Sequence, residues 1–191
     1  MTEKEWTAQI CAELQIFFKQ KDFFVETQRK IPYSQEIDWY SEGWLPNHMN
    51  TSDFETDLVI YEVDAETHIK PRVIIESKIR GVTTHDAITY SYKAEKHKSI
   101  TPYIRYGIML GERKNYPLPG RLFRHGTNFD FMFSFAGLDP TDDEWNSFIE
   151  MIKEEIKFSK TLEEMLHENK RKDRKHYYML QKQLILKEMD E

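Results

Sequence analysis

Two stretches decide the fold: Asp57-Leu-Val-Ile-Tyr-Glu-Val63 and Arg72-Val-Ile-Ile-Glu-Ser-Lys-Ile79. Both are short, rich in β-branched residues and bounded by polar sequence, which predicts strands. The polar run from Asp64 to Lys70 predicts a hairpin connection between them. Gly81 ends the second strand. Thr83 and Asp86 then form a cap pair that opens a helix to about Lys98. Pro102 closes that segment, and Tyr103-Ile-Arg-Tyr-Gly-Ile-Met-Leu110 is the next strand. A helix between two strands predicts a crossover connection.

Working toward the N-terminus, Thr2 and Glu5 form a capping box that opens a helix over residues 3–20. At about 100° per residue, Trp6, Ile10, Leu14 and Phe17 share its apolar face. Glu13 falls on that same face, where an acid is unexpected; a paired or edge position is the ordinary reading. Residues 23–31 suit a strand that Pro32 should end. The mixed sequence over 33–56 reads mostly as loop, with room for a short strand near 36–40 and aromatics packed beneath it. Toward the C-terminus, 111–128 reads as loop, and Phe129-Asp-Phe-Met-Phe-Ser-Phe135 alternates as a strand does.

From Thr141 the pattern is helical to the end. Trp145, Phe148, Ile149, Ile152 and Ile156 mark one helix, and Leu162, Met165 and Leu166 start another. The stretch His167–His176 has no apolar residue. Tyr177, Leu180 and Leu184 then resume a helical stripe, which predicts that residues 160–191 are helical and self-associate. The whole order predicts an α/β chain of the α+β type. It has a central mixed sheet flanked by helices over residues 1–140, with a C-terminal helical extension over 141–191.

Composition narrows the function. Twelve Phe, ten Tyr and four Trp in 191 residues argue against disorder. Cys11 stands alone, so no internal disulfide can form, which points to a reducing compartment. The first residues lack a secretory pattern, and no apolar run approaches the roughly 20 residues of a membrane span. The expectation is a cytoplasmic protein without membrane contact. A net charge of −6 argues against a cationic nucleic-acid coat, but not against an enzyme that clusters its basic residues. Seven histidines are scattered with no HExxH and no zinc spacing, and no phosphate-binding glycine loop is present.

The chemistry concentrates on the two strands that decide the fold. Glu76 and Lys78 are two apart, so they share a strand face opposite Val73, Ile75 and Ile79. Glu-x-Lys occurs four times, at Glu76, Glu112, Glu155 and Glu168, but only the first lies in a strongly β-forming segment. Pairing the strands around 64–70 brings Asp57 near Glu76. Two carboxylates with a lysine beside them suit a divalent cation that keeps waters and accepts phosphate oxygens. Lys93, Lys96, Lys98, Arg121, Arg124 and His125 are basic enough to contact phosphates, although solvated surface is the default for each.

Thr56-Asp57, Glu76-Ser77-Lys78 and the order α-β-β-β-α-β together resemble the PD-(D/E)xK nuclease superfamily, from the first helix through Leu110. Thr56 stands where the family usually has proline. The resemblance implies a restriction-endonuclease-like core and a metal-dependent DNA endonuclease, of a restriction or other defence type. It implies Mg²⁺, with Mn²⁺ as substitute, held by Asp57, Glu76 and the Ser77 carbonyl, with Lys78 catalytic. It gives Glu13 a place at the active site, since members often place a first-helix glutamate there. It also leaves Tyr90, Lys93 and His97 as candidates from the helix after Lys78, with Lys93, Lys96, His97, Arg121 and Arg124 toward the nucleic acid. Cutting both strands of a duplex needs two sites, which a homodimer supplies; single-strand and junction substrates stay open. The alternative is a non-catalytic interaction protein that binds a protein or nucleic-acid partner through the C-terminal helices. In it Asp57, Glu76 and Lys78 are an ordinary ion-pair cluster.

Overall fold

The structure, a computed structural model, describes residues 1–19, 22–114, 117–167, 177–181 and 184–187. In chain order the elements are α1 (Glu3–Phe18), β1 (Phe23–Ser41), β2 (Leu45–Val63), β3 (Ile69–Ile79), α2 (Thr84–Ile100), β4 (Arg105–Gly111), α3 (Gly120–His125), β5 (Phe131–Ser134) and α4 (Asp142–His167). The fold is α+β, with one five-stranded sheet in the order β1-β2-β3-β4-β5. β1, β2 and β3 pair antiparallel, whereas β3, β4 and β5 pair parallel, with α2 in the crossover from β3 to β4 and α3 in the one from β4 to β5. Both anticipated capping boxes form: Thr2 with Glu5, and Thr83 with Asp86.

Alternation along the strands feeds two cores. On one face Leu58, Ile60, Val73 and Ile75 meet Trp6, Ile10, Leu14 and Phe18 of α1 and Phe148, Ile149, Ile152 and Ile156 of α4. On the other face Val59, Ile74 and Tyr106 meet Ala94 of α2, and Ile108 and Leu110 meet Ala87 of α2 and Leu122 of α3. Arg72 on β3 is almost wholly buried. Its guanidinium is shared between Glu62 of β2 and Glu163 of α4, which fastens the helix to the sheet.

Four expectations are corrected. The C-terminal region opens as one helix, not two: nothing between Ile156 and Leu162 is Gly or Pro, so the ladder continues through Ser159, which is buried. Residues 177–181 and 184–187 carry neither helix nor strand, although a helix was expected over 160–191. Residues 160–167 are helical as expected, as the end of α4, and the remainder of that prediction, at 168–176, 182–183 and 188–191, lies outside the described residues.

The largest correction is over 33–56. Pro32 does not end β1; β1 and β2 run on together as a long ribbon to a turn at Ser41–Leu45. The register shifts between Pro32↔Asp53 and Ser34↔Ser52, which leaves Tyr33 as an extra residue on β1. Such an irregularity bends a ribbon and increases its twist. The ribbon passes over α2, with the Phe54 ring 5.9 Å from that of His97 and the Pro32 carbonyl 3.2 Å from His97 Nδ1. The expected loop 111–128 also contains the short helix α3.

Candidate active site

The β2–β3 ladder pairs Leu58 with Ile75, so Asp57 and Glu76 stand one step beyond its recorded end. Asp57 Oδ2 accepts the Ser77 N–H at 2.8 Å and the Ser77 hydroxyl at 3.2 Å. Thr7 of α1 holds that hydroxyl from the other side, Oγ1 to Oγ 2.7 Å. In an extended strand a residue's N–H and C=O face the same neighbour. The Ser77 carbonyl therefore faces the side on which Asp57 lies.

Glu76 has no solvent exposure. Its Oε1 accepts from the Tyr106 hydroxyl of β4 and lies 3.5 Å from the Lys93 ammonium of α2. Its Oε2 has no hydrogen-bond partner among the described residues. Burial, and then the nearby Asp57 charge, push the carboxyl up to about 7; Lys93 and Tyr106 pull the other way. An unpaired buried carboxylate oxygen is costly.

Lys78 Nζ lies 3.0 Å from Glu3 Oε1 and 5.4 Å from the centre of the Tyr90 ring. Burial by itself lowers the ammonium, but contact with the Tyr90 hydroxyl and with Glu3 outweighs it and raises the pKa above the ordinary lysine range. At neutral pH Lys78 is therefore a fixed cation and donor, not a proton acceptor.

The structure thus brings Asp57, Glu76, Ser77, Lys78, Tyr90 and Lys93 to one place. Glu13 is not among them. It lies six residues beyond Thr7, about 9 Å further along the helix axis, on the part of α1 that leads away from Ser77. Among the described residues no hydrogen bond or ion pair links Glu13 to Asp57, Glu76 or Lys78. The acid that α1 does bring is Glu3, which sequence reading missed because it opens a capped first turn where acids are commonplace. Thr7 and Tyr106 were missed for lack of any local signal.

His97 was expected to face nucleic acid and does not. It is wholly buried, stacked on Tyr106 and donating from Nδ1 to the Pro32 carbonyl. Burial pushes its pKa down to about 4, so it stays neutral. Lys96 lies over the Tyr92 ring on the outer side of α2. Arg121 is exposed but donates to the Val82 carbonyl at 2.9 Å, and Arg124 is exposed on α3. Lys98 is paired with Asp130 at 2.8 Å.

Mg²⁺ suits this donor set. It takes one or two carboxylates, keeps several waters and accepts phosphate oxygens. Asp57, the unpartnered Glu76 Oε2 and the Ser77 carbonyl are the matching oxygens. A hard cation here would also remove the cost of the unpaired Glu76 oxygen.

The Glu76 shift has a stability consequence in metal-free buffer. Between pH 4.5 and about 7 the native carboxyl keeps a proton that the unfolded chain has lost, so stability falls as pH rises through that window. Glu76→Gln keeps the acceptor for Tyr106 and removes the titration. Relative to wild type, its melting temperature should therefore climb across that window, by a difference equivalent to at most about 3 kcal/mol. Parallel melting curves for the two proteins from acid to neutral pH would contradict this assignment.

No family model and no curated protein sequence matches the chain.

Proposed function

We propose that this chain is a metal-dependent nuclease that hydrolyses phosphodiester bonds in DNA, with its site at Asp57, Glu76, Ser77 and Lys78. The observation that carries the reading is Glu76: a wholly buried carboxylate with one oxygen unpartnered among the described residues, beside Asp57 and two residues from a lysine held as a cation. An ordinary surface ion-pair cluster would be exposed and internally paired, as the Arg80–Glu112 pair is. The match of Asp57 and Glu76-Ser77-Lys78 to the PD-(D/E)xK pattern supports the same reading.

Asp57, Glu76 and the Ser77 carbonyl would hold Mg²⁺, which when bound supplies a Lewis acid for the phosphoryl oxygen and lowers the pKa of a water. Tyr106 and Lys93 fix Glu76 Oε1, which leaves Oε2 as the free donor atom. Ser77, itself held by Thr7, orients Asp57. Lys78, steadied by Glu3 and Tyr90, donates to the attacking water or to charge developing on the phosphoryl oxygens. Cutting both strands of a duplex would engage two copies.

The test is incubation with plasmid, single-stranded and junction DNA, in Mg²⁺ and in EDTA. The proposal expects cleavage of at least one of them in Mg²⁺, none in EDTA and none by Asp57→Asn. Intact substrates throughout, or cleavage that survives Asp57→Asn, would count against it.

A further inference from the structure

Over its outer part, residues 35–53, the β1–β2 ribbon is exposed almost throughout, and among the described residues it pairs there with no third strand; β3 joins β2 only over Leu58–Val63. Glu36↔Asn50, Ile37↔Met49, Trp39↔Asn47 and Ser41↔Leu45 set its register. Alternation therefore puts Ile37, Trp39, Leu45 and Met49 on one face and Glu36, Asp38, Tyr40 and His48 on the other. Every one of the four apolar residues is exposed, Trp39 by 52% and Leu45 by 63%. A two-stranded ribbon is marginal in water unless something covers its apolar face.

The ribbon's charge is one-sided as well. Residues 31–54 contain Glu36, Asp38, Glu42 and Asp53 and no lysine or arginine. That excludes a nucleic-acid backbone as its cover, because phosphates would meet only acids. Acids on an exposed edge do deter edge-to-edge aggregation, but they do not cover an apolar face.

The complement is in the same sequence. Residues 170–175 read Lys-Arg-Lys-Asp-Arg-Lys, five basic groups in six. The apolar run that follows stands open, with Tyr178 exposed by 99% and Leu180 and Leu184 by 80%. Basic charge followed by apolar side chains is what an acidic ribbon with an apolar face would take. Among the described residues the apolar side chains of the ribbon's outer part and of Tyr177–Leu180 and Leu184–Leu186 are all exposed in the single chain, which favours a contact between two chains as their cover.

We propose that the C-terminal segment 170–187 of one copy docks on the β1–β2 ribbon of a second copy, and reciprocally. The result is a two-fold dimer with two identical tail-on-ribbon contacts. The interface does not depend on the reading of the active site.

The test uses the full chain in sedimentation equilibrium, with circular dichroism as a control for folding. Wild type should be dimeric at micromolar concentration, and more weakly so at high salt. Glu36→Lys with Glu42→Lys on the ribbon, and Leu184→Glu with Ile185→Glu on the tail, should each weaken dimerisation by roughly tenfold or more. Adding Lys172→Glu and Arg174→Glu to the ribbon variant should restore the dimer, which a variant that merely misfolded could not do. Three results would overturn the proposal: a monomeric wild type, a dimer lost in the ribbon variant but intact in the tail variant (ribbon on ribbon), or a dimer indifferent to both.

Discussion

Lys78→Ala will leave the fold and the carboxylate site in place while cleavage falls by on the order of 100- to 1,000-fold. The expectation comes from the surroundings of the lysine. Glu3 and Tyr90 hold Nζ at the same end of β3 as Glu76, and they keep it charged against the cost of its burial. A donor positioned before the reaction stabilises developing charge without reorganisation. The side chain is only 20% exposed, but it carries little of the apolar core, so its loss should cost little stability. Glu3→Gln should act in the same direction more weakly, because Tyr90 still contacts the ammonium. Plasmid-cleavage rates beside a thermal melt separate the two effects. Full activity in Lys78→Ala would exclude the role given to this residue.

Arg72→Ala will destabilise the chain by about 3 kcal/mol. Arg72 is 2% exposed and bridges Glu62 and Glu163. Burial alone would raise both carboxyls; the hydrogen bonds from Lys160 and Arg72 to Glu62, and from Arg72 and Lys70 to Glu163, hold them below the usual range instead. Removing the guanidinium leaves two half-buried acids facing each other. Lys160 and Lys70 stay in place, at 2.6 Å from Glu62 and 3.0 Å from Glu163, and keep the loss toward the lower end for a broken buried pair. For a chain of this size the melting point should fall by roughly 6–12 °C. The two carboxyls are depressed in the native state, so the wild-type network contributes at neutral pH and is lost as pH falls through their native pKa values. The deficit of Arg72→Ala should therefore shrink in acid. Urea unfolding at neutral and acid pH checks both statements; an unchanged midpoint at neutral pH would show that the network is only a surface arrangement.

The sheet and its carboxylates were legible because β2 and β3 are buried on both faces where they pair. Burial forces the runs Leu58–Ile60 and Val73–Ile75 to be apolar, so the charges at Asp57, Glu76 and Lys78 stand out against them. The ribbon was illegible for the opposite reason. Residues 35–53 are exposed on nearly every side, so no buried face imposes an alternation, and Pro32, Pro46 and Gly43 read as loop. The ribbon also explains the misreading of His97. On helix α2 alone its polar ring belongs at the surface; it is buried because Pro32 and Phe54 fold over it, a long-range contact that local sequence does not encode. Glu13 misled through its place on the apolar wheel. The wheel gives direction around a helix but not position along it, and the site lies at the first turns, where Glu3 and Thr7 are. α4 read as two helices because Lys157, Ser159, Lys160 and Thr161 interrupt its apolar stripe, yet Lys160 pairs with Glu62 across the sheet edge and the backbone runs on.

The central claim is that Asp57 and Glu76 converge on a cation, and calorimetric titration with Mn²⁺ tests it most directly. Wild type and Lys78→Ala should each bind Mn²⁺ at one carboxylate site per chain, whereas Asp57→Asn and Glu76→Gln should bind it far more weakly. No binding by the wild type, or binding by all four proteins alike, would contradict the account.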